Sequence, residues 1–410
     1  MSLVAKKLLY IKYPAAERTN RASTAAVISI PGLVFFGASG VIPGTGGVGG
    51  VTGVWAGVVG GIAGVVVTGG ICVSTGTVGF SSCTNLLYHD LMDELQALAK
   101  KLVTEGKGIL AADESFPSIE KRFETIGIVS THETRLSYRK MLFSTPNIEN
   151  YISGIIQFDE TLRDRILDNP KVISGIKVDQ GTENLGGFPG EKITKGIEGL
   201  SGRLKEYKSL NAKFTKWRAT FGISASTPTI ECIEQNANLL SEFAAISQAE
   251  GFVPIVEPEV LMDGDHSIDK CYETTRAVLK IIFEKLKQKN VNFSAMLLKS
   301  NMILPGKDSL NKITPADIAQ KTIEVLREVV PAGVPGIVFL SGGQTEDEAT
   351  DNLREINKVG DVDFELSFSF GRALQNSALK AWTGKDENGK IAQGAFLKRA
   401  KMNSEARYGK

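Results

Sequence analysis

The sequence predicts an α/β fold of the (β/α)8 TIM-barrel class over residues 90–410, after a Gly/Val-rich low-complexity N-terminal extension over residues 1–89. The first observation is that eight short apolar, β-prone runs alternate with amphipathic stretches, over the roughly 300 residues typical of such a barrel. The second is that these runs lack clean polar/apolar alternation, as expected for parallel strands covered on both faces. A doubly wound open sheet is the alternative, but it usually has fewer strands, and no GxGxxG sequence opens a helix here.

The predicted strands share a core of β-branched, aliphatic and aromatic residues. They cover residues 108–113, 152–158, 173–178, 214–223, 252–260, 294–300, 336–343 and 364–373. The clearest predicted helices have apolar residues at three- and four-residue spacing, and they cover residues 229–251, 267–290 and 314–330. In the last of them, Thr314 is a helix cap followed by Pro315 at the first helical position.

The extension over residues 1–89 shows no catalytic motif. No Asp, Glu, Lys or Arg occurs from Ala22 to Tyr88, whereas ordinary charged sequence follows. Residues 51–72 are long enough to span a bilayer, which takes about 20 apolar residues, and basic residues precede them. Gly with β-branched Val and Thr forms poor helices, however, so a low-complexity extension is favoured over membrane association through residues 25–80. A processed presequence is a third interpretation, because the charged residues among the first 21 are basic except for Glu17.

Composition excludes several classes of function. The formal net charge is only +1, so no overall field favours nucleic acid. The four cysteines form no CxxC pair, which predicts neither a zinc site nor a disulfide framework and fits a reducing compartment. The three histidines show no metal-ligand spacing, so we expect no metal and no cofactor in the active site.

Polar residues recur where the predicted strands end, and catalytic groups of such barrels lie at the carboxyl ends of the strands. Taken singly, a lysine there is more often a solvated rim residue and a carboxylate a helix cap. A whole set converging on one mouth favours an active site. Its members in chain order are Asp113, Asp159, Lys177, Lys216, Arg218, Glu257, Glu259, Lys299, Ser341, Gly342, Gly343, Gly371 and Arg372.

The charges of this set favour covalent catalysis by Lys299, which lies in an apolar strand. A lysine is nucleophilic when it is neutral, and desolvation or neighbouring cations favour that form. We expect Lys177 and Lys216 to crowd Lys299, so that its amine forms a Schiff base with a ketone. Glu257 would then act as general acid and base, and Asp113 would accept a hydroxyl proton.

The glycine-containing turns favour an anion site. Ser341 and the backbone amides of Gly342 and Gly343 form a predicted phosphate cradle, because glycine lets N–H groups approach an anion closely. Arg372 is suited to bidentate contact with the same phosphate.

Seven segments together resemble class I fructose-bisphosphate aldolase, in the expected order and spacing from about residue 90 to 400. They are EGKGILAADES (105–115), GIKVDQG (175–181), KWR (216–218), VPIVEPEVLMDGDH (253–266), LLKSNM (297–302), FLSGGQTEDEA (339–349) and SFSFGRALQ (367–375). The combination is specific, although a piece such as SGG alone is not. Nothing in residues 1–89 takes part in the resemblance.

The resemblance implies reversible cleavage of fructose 1,6-bisphosphate to dihydroxyacetone phosphate and glyceraldehyde 3-phosphate, without a metal. It implies that Lys299 is the Schiff-base residue and that Glu257 transfers protons, with Glu259 near the lysines. It also implies that Asp113 deprotonates the C4 hydroxyl with help from Lys216.

The resemblance further assigns residues to substrate binding. Arg218 is implied as a substrate contact. The ketone-side phosphate is assigned to Ser341, Gly342, Gly371 and Arg372, beside Gly343 of the same turn. The other phosphate is assigned to Ser115, Ser118 and Lys177.

Three positions depart from the family pattern. Phe116-Pro117 replaces a Thr-Gly-like pair and is expected to stiffen the loop that carries Ser118. Ser300 follows the lysine where proline is common, which we expect to be a mild change. Tyr408 lies near the end of the chain, and we do not expect it to assist proton transfer as a terminal tyrosine does in many family members.

Alternative functions remain at this point. The same barrel and lysine could act on another sugar bisphosphate, such as that of a seven-carbon sugar, or serve as a non-enzymatic scaffold. The family resemblance implies a homotetramer in the cytoplasm, with an organelle as the alternative if the basic N-terminus is a presequence.

Overall fold

The computed structural model describes residues 25–30, 33–38, 55–59, 62–67, 81–311 and 313–410, with side chains from His89 onward. The chain divides into two units between Asn85 and Leu86. Helix α1 begins at Ser81, so it starts inside the predicted extension. The predicted domain boundary at residue 89 therefore stays a prediction.

The described part of the N-terminal unit is a four-stranded antiparallel sheet with the order β1-β2-β3-β4. Its strands are β1 (Ala25–Ile30), β2 (Leu33–Ala38), β3 (Trp55–Val59) and β4 (Ile62–Val67). The last two fall within residues 51–72, so their residues form strands rather than a helix. None of the helices in the described residues has the length and apolar character needed to cross a membrane.

The second unit contains a closed barrel of eight parallel strands, which confirms the predicted fold class. The strands are β5 (Gly108–Ala112), β6 (Ile152–Gln157), β7 (Ile173–Lys177), β10 (Phe214–Phe221), β11 (Val253–Val260), β12 (Leu297–Leu298), β13 (Gly336–Phe339) and β14 (Glu365–Phe370). A short antiparallel hairpin, β8 (Thr182–Asn184) and β9 (Lys192–Thr194), follows β7. All eight predicted strands are present.

Helices connect the strands and cover the outside of the barrel. They are α1 (Ser81–Leu102), α2 (Phe116–Glu124), α3 (His132–Phe143), α4 (Asp159–Arg163), α5 (Leu200–Ser209), α6 (Ile230–Ala249), α7 (Ile268–Gln288), α8 (Pro315–Val329), α9 (Glu346–Val359), α10 (Arg372–Trp382) and α11 (Gly389–Ala406). The three predicted helices correspond to α6, α7 and α8. Thr314 caps α8 by accepting a hydrogen bond from the backbone N–H of Asp317, as its sequence predicts.

The strands are shorter than the predicted runs, and three of them by four or more residues: β12, β13 and β14. Only Leu297–Leu298 of the run 294–300 is strand, because a 3-10 turn at Phe293–Ala295 precedes it. The Lys299 N–H still donates to the Val256 carbonyl at 2.8 Å, so parallel pairing continues to the lysine. The last strand ends at Phe370, and Arg372 already begins α10.

Helix α1 closes the amino-terminal end of the barrel. Its buried face packs on side chains that the strands direct into the barrel interior, among them Ile109, Phe214 and Val253. Because strand side chains alternate between faces with a period of two, residues two and four positions further on share that interior face. On three strands those positions include Asp113, Lys216 and Glu257. The barrel interior is therefore apolar at the end that α1 closes, called the floor here, and polar at the opposite end, called the mouth.

Arg407, beyond the end of α11, ties that helix to the floor of the barrel. It is only 8% exposed and its Nε donates to the Leu366 carbonyl at 3.0 Å. The same guanidinium donates to the carbonyls of Thr104 and Lys107 and pairs with Glu365. Carbonyls from two separate segments, residues 104–107 and Leu366, therefore depend on one side chain.

We expect Arg407→Met to lower the free energy of unfolding by about 2–4 kcal/mol, because it leaves buried carbonyls without donors. Urea denaturation at pH 7 measures the change. The control is Arg276→Met, which removes an exposed pair with Glu328 and should change stability by less than about 1 kcal/mol. Equal effects of the two variants would contradict the structural role of Arg407.

Candidate active site

Four charged side chains form a continuous series at the mouth of the barrel. Lys299 Nζ lies 2.9 Å from Glu257 Oε1, and Glu257 Oε2 lies 3.1 Å from Lys216 Nζ. Lys216 Nζ in turn lies 2.6 Å from Asp113 Oδ2. The series thus brings together the four residues that the sequence predicts for covalent and acid–base catalysis.

Strand order explains why these four meet. Asp113 follows β5, whereas Lys216 lies on β10, Glu257 on β11 and Lys299 directly after β12, and these three strands are consecutive in the barrel. Asp113 therefore reaches Lys216 across the barrel interior rather than along the sheet. Asp113 is 9% exposed and the other three are each 3% exposed, so the series is poorly accessible to solvent.

The charges of the series determine which groups are ionised. Burial opposes the ionisation of Asp113, but the Lys216 and Lys299 charges outweigh it and lower its pKa. Burial likewise opposes the ionisation of Glu257, whose pKa is lowered by Lys216, Lys299 and Arg218. For Lys216, burial opposes the charge, but Asp113 and Glu257 raise its pKa well above the ordinary range. Both carboxylates are thus available as bases, and Lys216 is a fixed cation.

Both lysines that were expected to crowd Lys299 have carboxylate partners in the structure. Lys216 is shared by two carboxylates, and Lys177 pairs with Asp179 and also donates to its carbonyl at 2.8 Å. Buried cations need such partners because removing them from water is strongly unfavourable. The electrostatic setting of Lys299 is therefore a network of alternating charges rather than a cluster of cations.

Glu259 is buried and forms an ion pair with the Arg218 guanidinium from the neighbouring strand β10. The expectation that Glu259 lies near the lysines stays a prediction. Burial lowers the pKa of Arg218, but the Glu259 charge and hydrogen bond outweigh it and raise the pKa.

The predicted phosphate cradle lies at the ends of β13 and β14, which are adjacent strands. Ser341 is buried, and Gly342 and Gly343 have φ values of 54° and 103°. These left-handed conformations suit glycine and turn the chain sharply. Arg372 is exposed at the first position of α10. In the barrel order, β13 and β14 lie between β12, which precedes Lys299, and β5, which precedes Asp113.

The second predicted anion site lies beside β5 to β7. Ser115 and Ser118 flank the start of α2, and their hydroxyl oxygens are 3.1 Å apart. Ser115 occupies the N-cap position, yet its side chain makes no capping hydrogen bond. Lys177 ends β7 and is half-buried against Asp179. The two predicted anion sites therefore lie on either side of strands β10 to β12 in the barrel order.

Two interior residues of the mouth were missed by sequence reasoning. Asp179 is buried, pairs with Lys177 and accepts a hydrogen bond from the Arg218 N–H at 3.4 Å. Ser369 is buried on β14, and its hydroxyl has no hydrogen-bond partner among the described residues. The two-residue strand period could have found both, because Asp179 is two positions beyond Lys177 and Ser369 two before Gly371.

A buried arginine behind the Asp113 turn was also missed. Arg139 is 2% exposed, and it donates to the Glu114 carbonyl at 2.9 Å and to Thr161 Oγ1 at 2.6 Å. Glu114 itself pairs with Arg122, which also donates to Gln375 Oε1 at 2.9 Å. These contacts fix the position of Glu114, the residue next to Asp113.

Other predicted features lie away from the series. Asp159 pairs with Arg163 at 2.8 Å and accepts a hydrogen bond from Tyr207 at 2.8 Å. Tyr408 lies against Gly106, which precedes β5, and thus at the end of the barrel opposite Asp113. Within the described residues, no group of three or more His, Cys, Asp or Glu side chains could hold a metal ion.

The position of Lys216 between two carboxylates gives a pH-dependent prediction. Lys216→Met should lower the free energy of unfolding at pH 7 by about 3–5 kcal/mol, because it leaves buried charges under-compensated. In the wild-type chain, the pKa of both carboxyls is below the ordinary values of 3.8 and 4.5, so their ionisation stabilises the fold above these values. That stability is lost as the pH falls through the lower folded pKa values.

In the variant, burial is no longer offset by Lys216, so the pKa of each carboxyl rises. As the pH falls, the carboxyls of Asp113 and Glu257 become protonated, and the repulsion between the two carboxylates disappears. The difference in stability between wild type and Lys216→Met should therefore be largest at pH 7 and smaller at pH 4, as measured by urea denaturation. A difference that is the same at both pH values would rule out the electrostatic explanation.

A buried lysine directly after a barrel strand, in contact with a carboxylate that a second lysine links to another carboxylate, defines an enzyme of the Schiff-base-forming barrel class. The chain belongs to the class I fructose-bisphosphate aldolase family. The model of the family described as "Fructose-bisphosphate aldolase class-I" matches residues 94–410. This match confirms the family resemblance that the sequence motifs predict.

Individual proteins support the same assignment. A probable fructose-bisphosphate aldolase class 1 of Xanthomonas campestris pv. campestris is 45% identical over 330 residues, which cover 78% of this chain and 98% of the relative. Fructose-bisphosphate aldolase 4, cytosolic, of Arabidopsis thaliana is 48% identical over 326 residues, which cover 77% and 83%. The structure of fructose-bisphosphate aldolase from Plasmodium falciparum in complex with TRAP and a small-molecule inhibitor is 45% identical, with a TM-score of 0.77 and coverage of 78% and 96%.

Proposed function

We propose that this chain reversibly cleaves fructose 1,6-bisphosphate to dihydroxyacetone phosphate and glyceraldehyde 3-phosphate through a Schiff base on Lys299. The observation that carries the proposal is the buried series Lys299–Glu257–Lys216–Asp113, with contacts of 2.9, 3.1 and 2.6 Å. The series offers a nucleophile at one end and a base at the other, with a shared cation between them. Membership of the aldolase family supports the choice of substrate.

Schiff-base formation uses the Lys299 end of the series. The amine must lose a proton before it attacks the C2 ketone of the substrate, and Glu257 Oε1 is within hydrogen-bond distance to accept that proton. Glu257 can return a proton to the hydroxyl of the carbinolamine, which leaves as water and forms the iminium ion. Lys216 stays charged throughout and stabilises Glu257 as a carboxylate between these transfers.

Carbon–carbon cleavage uses the Asp113 end. Asp113 accepts the proton of the C4 hydroxyl as the C3–C4 bond breaks, and the bonding electron pair moves into the iminium ion to form an enamine. Glyceraldehyde 3-phosphate leaves, the enamine is protonated at C3, and hydrolysis of the imine releases dihydroxyacetone phosphate and the Lys299 amine. The lowered pKa of Asp113 keeps it ionised and ready to accept the proton at neutral pH.

The two flanking turns support a sugar bisphosphate as the substrate. The turn of Ser341 to Gly343 with Arg372 is assigned to the C1 phosphate beside the ketone, and Ser115, Ser118 and Lys177 are assigned to the C6 phosphate. Anchoring both ends of the substrate positions C2 and C4 against the two ends of the charged series, which raises the effective concentration of the reacting groups.

The cleavage reaction can be followed by the release of glyceraldehyde 3-phosphate from fructose 1,6-bisphosphate, with EDTA present to keep free metal ions from contributing. We expect turnover that is unchanged by EDTA. A folded chain that releases no triose phosphate would refute the proposed activity and favour a scaffold role. A greater kcat/KM for a seven-carbon sugar bisphosphate in the same assay would favour the alternative substrate.

We infer a cytoplasmic location, which is supported by relatives described as cytosolic in Arabidopsis thaliana and as a cytoplasmic isozyme in Cicer arietinum. The homotetramer implied by the family resemblance is proposed on the same basis. Light scattering coupled to gel filtration tests the subunit number, and imaging of the tagged full-length chain tests the location.

A further inference from the structure

The departure Phe116-Pro117 lies inside the second anion site, between Ser115 and Ser118. The hydroxyl oxygens of these serines are 3.1 Å apart, and the Ser115 side chain caps no backbone N–H of α2. One hydroxyl donates to the other in this contact, so the pair is held together and one O–H remains to donate outward to a phosphate. How well the two serines can bind a phosphate depends on how rigid Phe116 and Pro117, the residues between them, are.

The Phe116 ring is held from two sides, although 47% of the residue is exposed. Its centroid lies 5.1 Å from that of Phe158, at an interplanar angle of 77°. The guanidinium carbon of Arg135 lies 4.6 Å from the Phe116 centroid. Edge-to-face packing and a cation over a ring face are both attractive arrangements.

The partners of Phe116 are themselves fixed. Arg135 makes a bidentate ion pair with Glu160, at 2.8 and 2.6 Å. Phe158 occupies the N-cap position of α4 and lies 5.9 Å from the guanidinium carbon of Arg139. A ring that packs on such partners fixes the start of α2 against two other helices of the mouth.

Pro117 removes backbone freedom at the same place. It occupies the first turn of α2, where proline is tolerated because its missing N–H would have no helical partner. Its ring restricts φ and so reduces the number of conformations that the turn can adopt. Reduced freedom before binding lowers the entropy lost when a ligand is held.

We propose that Phe116, Phe158 and Arg135 form an aromatic clamp that pre-organises the Ser115–Ser118 turn for the C6 phosphate and thereby makes the enzyme selective for a ketose bisphosphate over a ketose 1-phosphate. The proposal rests on the proposed aldolase function and deepens it. The clamp residues act by positioning the serines and do not touch the reacting carbons.

The test compares kcat/KM for fructose 1,6-bisphosphate and fructose 1-phosphate, which differ only in the C6 phosphate. Phe116→Ala should lower kcat/KM for the bisphosphate by about five- to twentyfold, the loss expected for one aromatic pair and one cation–π contact. Most of the loss should appear as a higher KM. Cleavage of fructose 1-phosphate should change by less than about twofold, because the Schiff base and the C1 phosphate site are untouched.

Two further variants and one control make the result decisive. Phe116→Tyr keeps both ring contacts and should retain the wild-type selectivity, whereas Phe158→Leu removes one contact and should lower selectivity even if Phe116→Ala fails to fold. The control Ile391→Ala alters another exposed large apolar residue, 68% exposed on α11, and should leave both substrates unaffected.

An equal fall for both substrates, or no fall for either, would overturn the aromatic clamp. A wild-type chain that cleaves neither substrate would instead refute the aldolase function, and the clamp with it. The two failures are distinguishable, because only the second removes the cleavage of fructose 1-phosphate by the wild-type chain.

Discussion

Lys299→Met is expected to abolish cleavage of fructose 1,6-bisphosphate, with kcat falling by on the order of 10⁴-fold or more, as for the loss of a covalent nucleophile in other enzymes. Methionine has a similar length and suits the buried site, but it has no amine to form the iminium ion. Borohydride reduction of the wild-type chain with substrate should trap an adduct, and peptide mass analysis should place it on Lys299. The variant should show no adduct.

The matched control is Lys307→Met. Lys307 is exposed near the carboxyl ends of the strands and pairs with Asp263, so its loss should leave both activity and adduct formation nearly unchanged. An adduct that maps to Lys216 or Lys177 in the wild-type chain would show that another amine is the nucleophile. No adduct on a folded, active chain would show that cleavage proceeds without a Schiff base.

Asp113→Asn is expected to separate the two halves of the reaction. The amide keeps the shape of the carboxyl group but cannot accept the C4 hydroxyl proton, so cleavage should fall by about 10²–10⁴-fold. Schiff-base formation uses Glu257 and Lys299 at the other end of the series and should persist. The borohydride adduct with fructose 1,6-bisphosphate should therefore still form on the variant while triose phosphate release is lost.

Asp159→Asn serves as the control for this variant, because Asp159 is also a carboxylate at a strand end. It contacts Arg163 and Tyr207 rather than a lysine of the series, so cleavage should change by only a few-fold. Loss of the adduct together with cleavage in Asp113→Asn would assign the aspartate to Schiff-base formation or to the structure of the site. Unchanged cleavage would remove Asp113 from the mechanism.

The order of strands and the strand-end residues could be predicted from the chain because they depend on local patterns. Apolar runs and their flanking polar residues identified Asp113, Lys216, Glu257 and Lys299 as neighbours of one mouth, and the structure brings all four together. The short extent of β12 could not be predicted, because the 3-10 turn before it, Phe293–Ala295, has no Gly, Pro or charged residue that would mark a break in the apolar run. Local composition does not distinguish the two conformations there.

The pairing between charges was the part of the site that the sequence did not predict. Lys177 and Lys216 were expected as cations near Lys299, and Glu259 as a neighbour of the lysines. The structure adds that Lys177 pairs with Asp179 and Glu259 with Arg218. Each ionised group in a poorly solvated mouth needs a counter-charge, and the nearest one depends on strand register and side-chain direction.

The sequence by itself determined the class of fold, the number of barrel strands, the family and the identity of the charged residues at the strand ends. These follow from hydrophobic periodicity and from motifs whose members lie close together along the chain. Only the tertiary structure decided that Lys216 bridges Asp113 and Glu257, and that Phe116 packs between Phe158 and Arg135. Such contacts join residues far apart in the chain, and closure of the barrel sets which of them come within the few ångströms over which hydrogen bonds and ring contacts act.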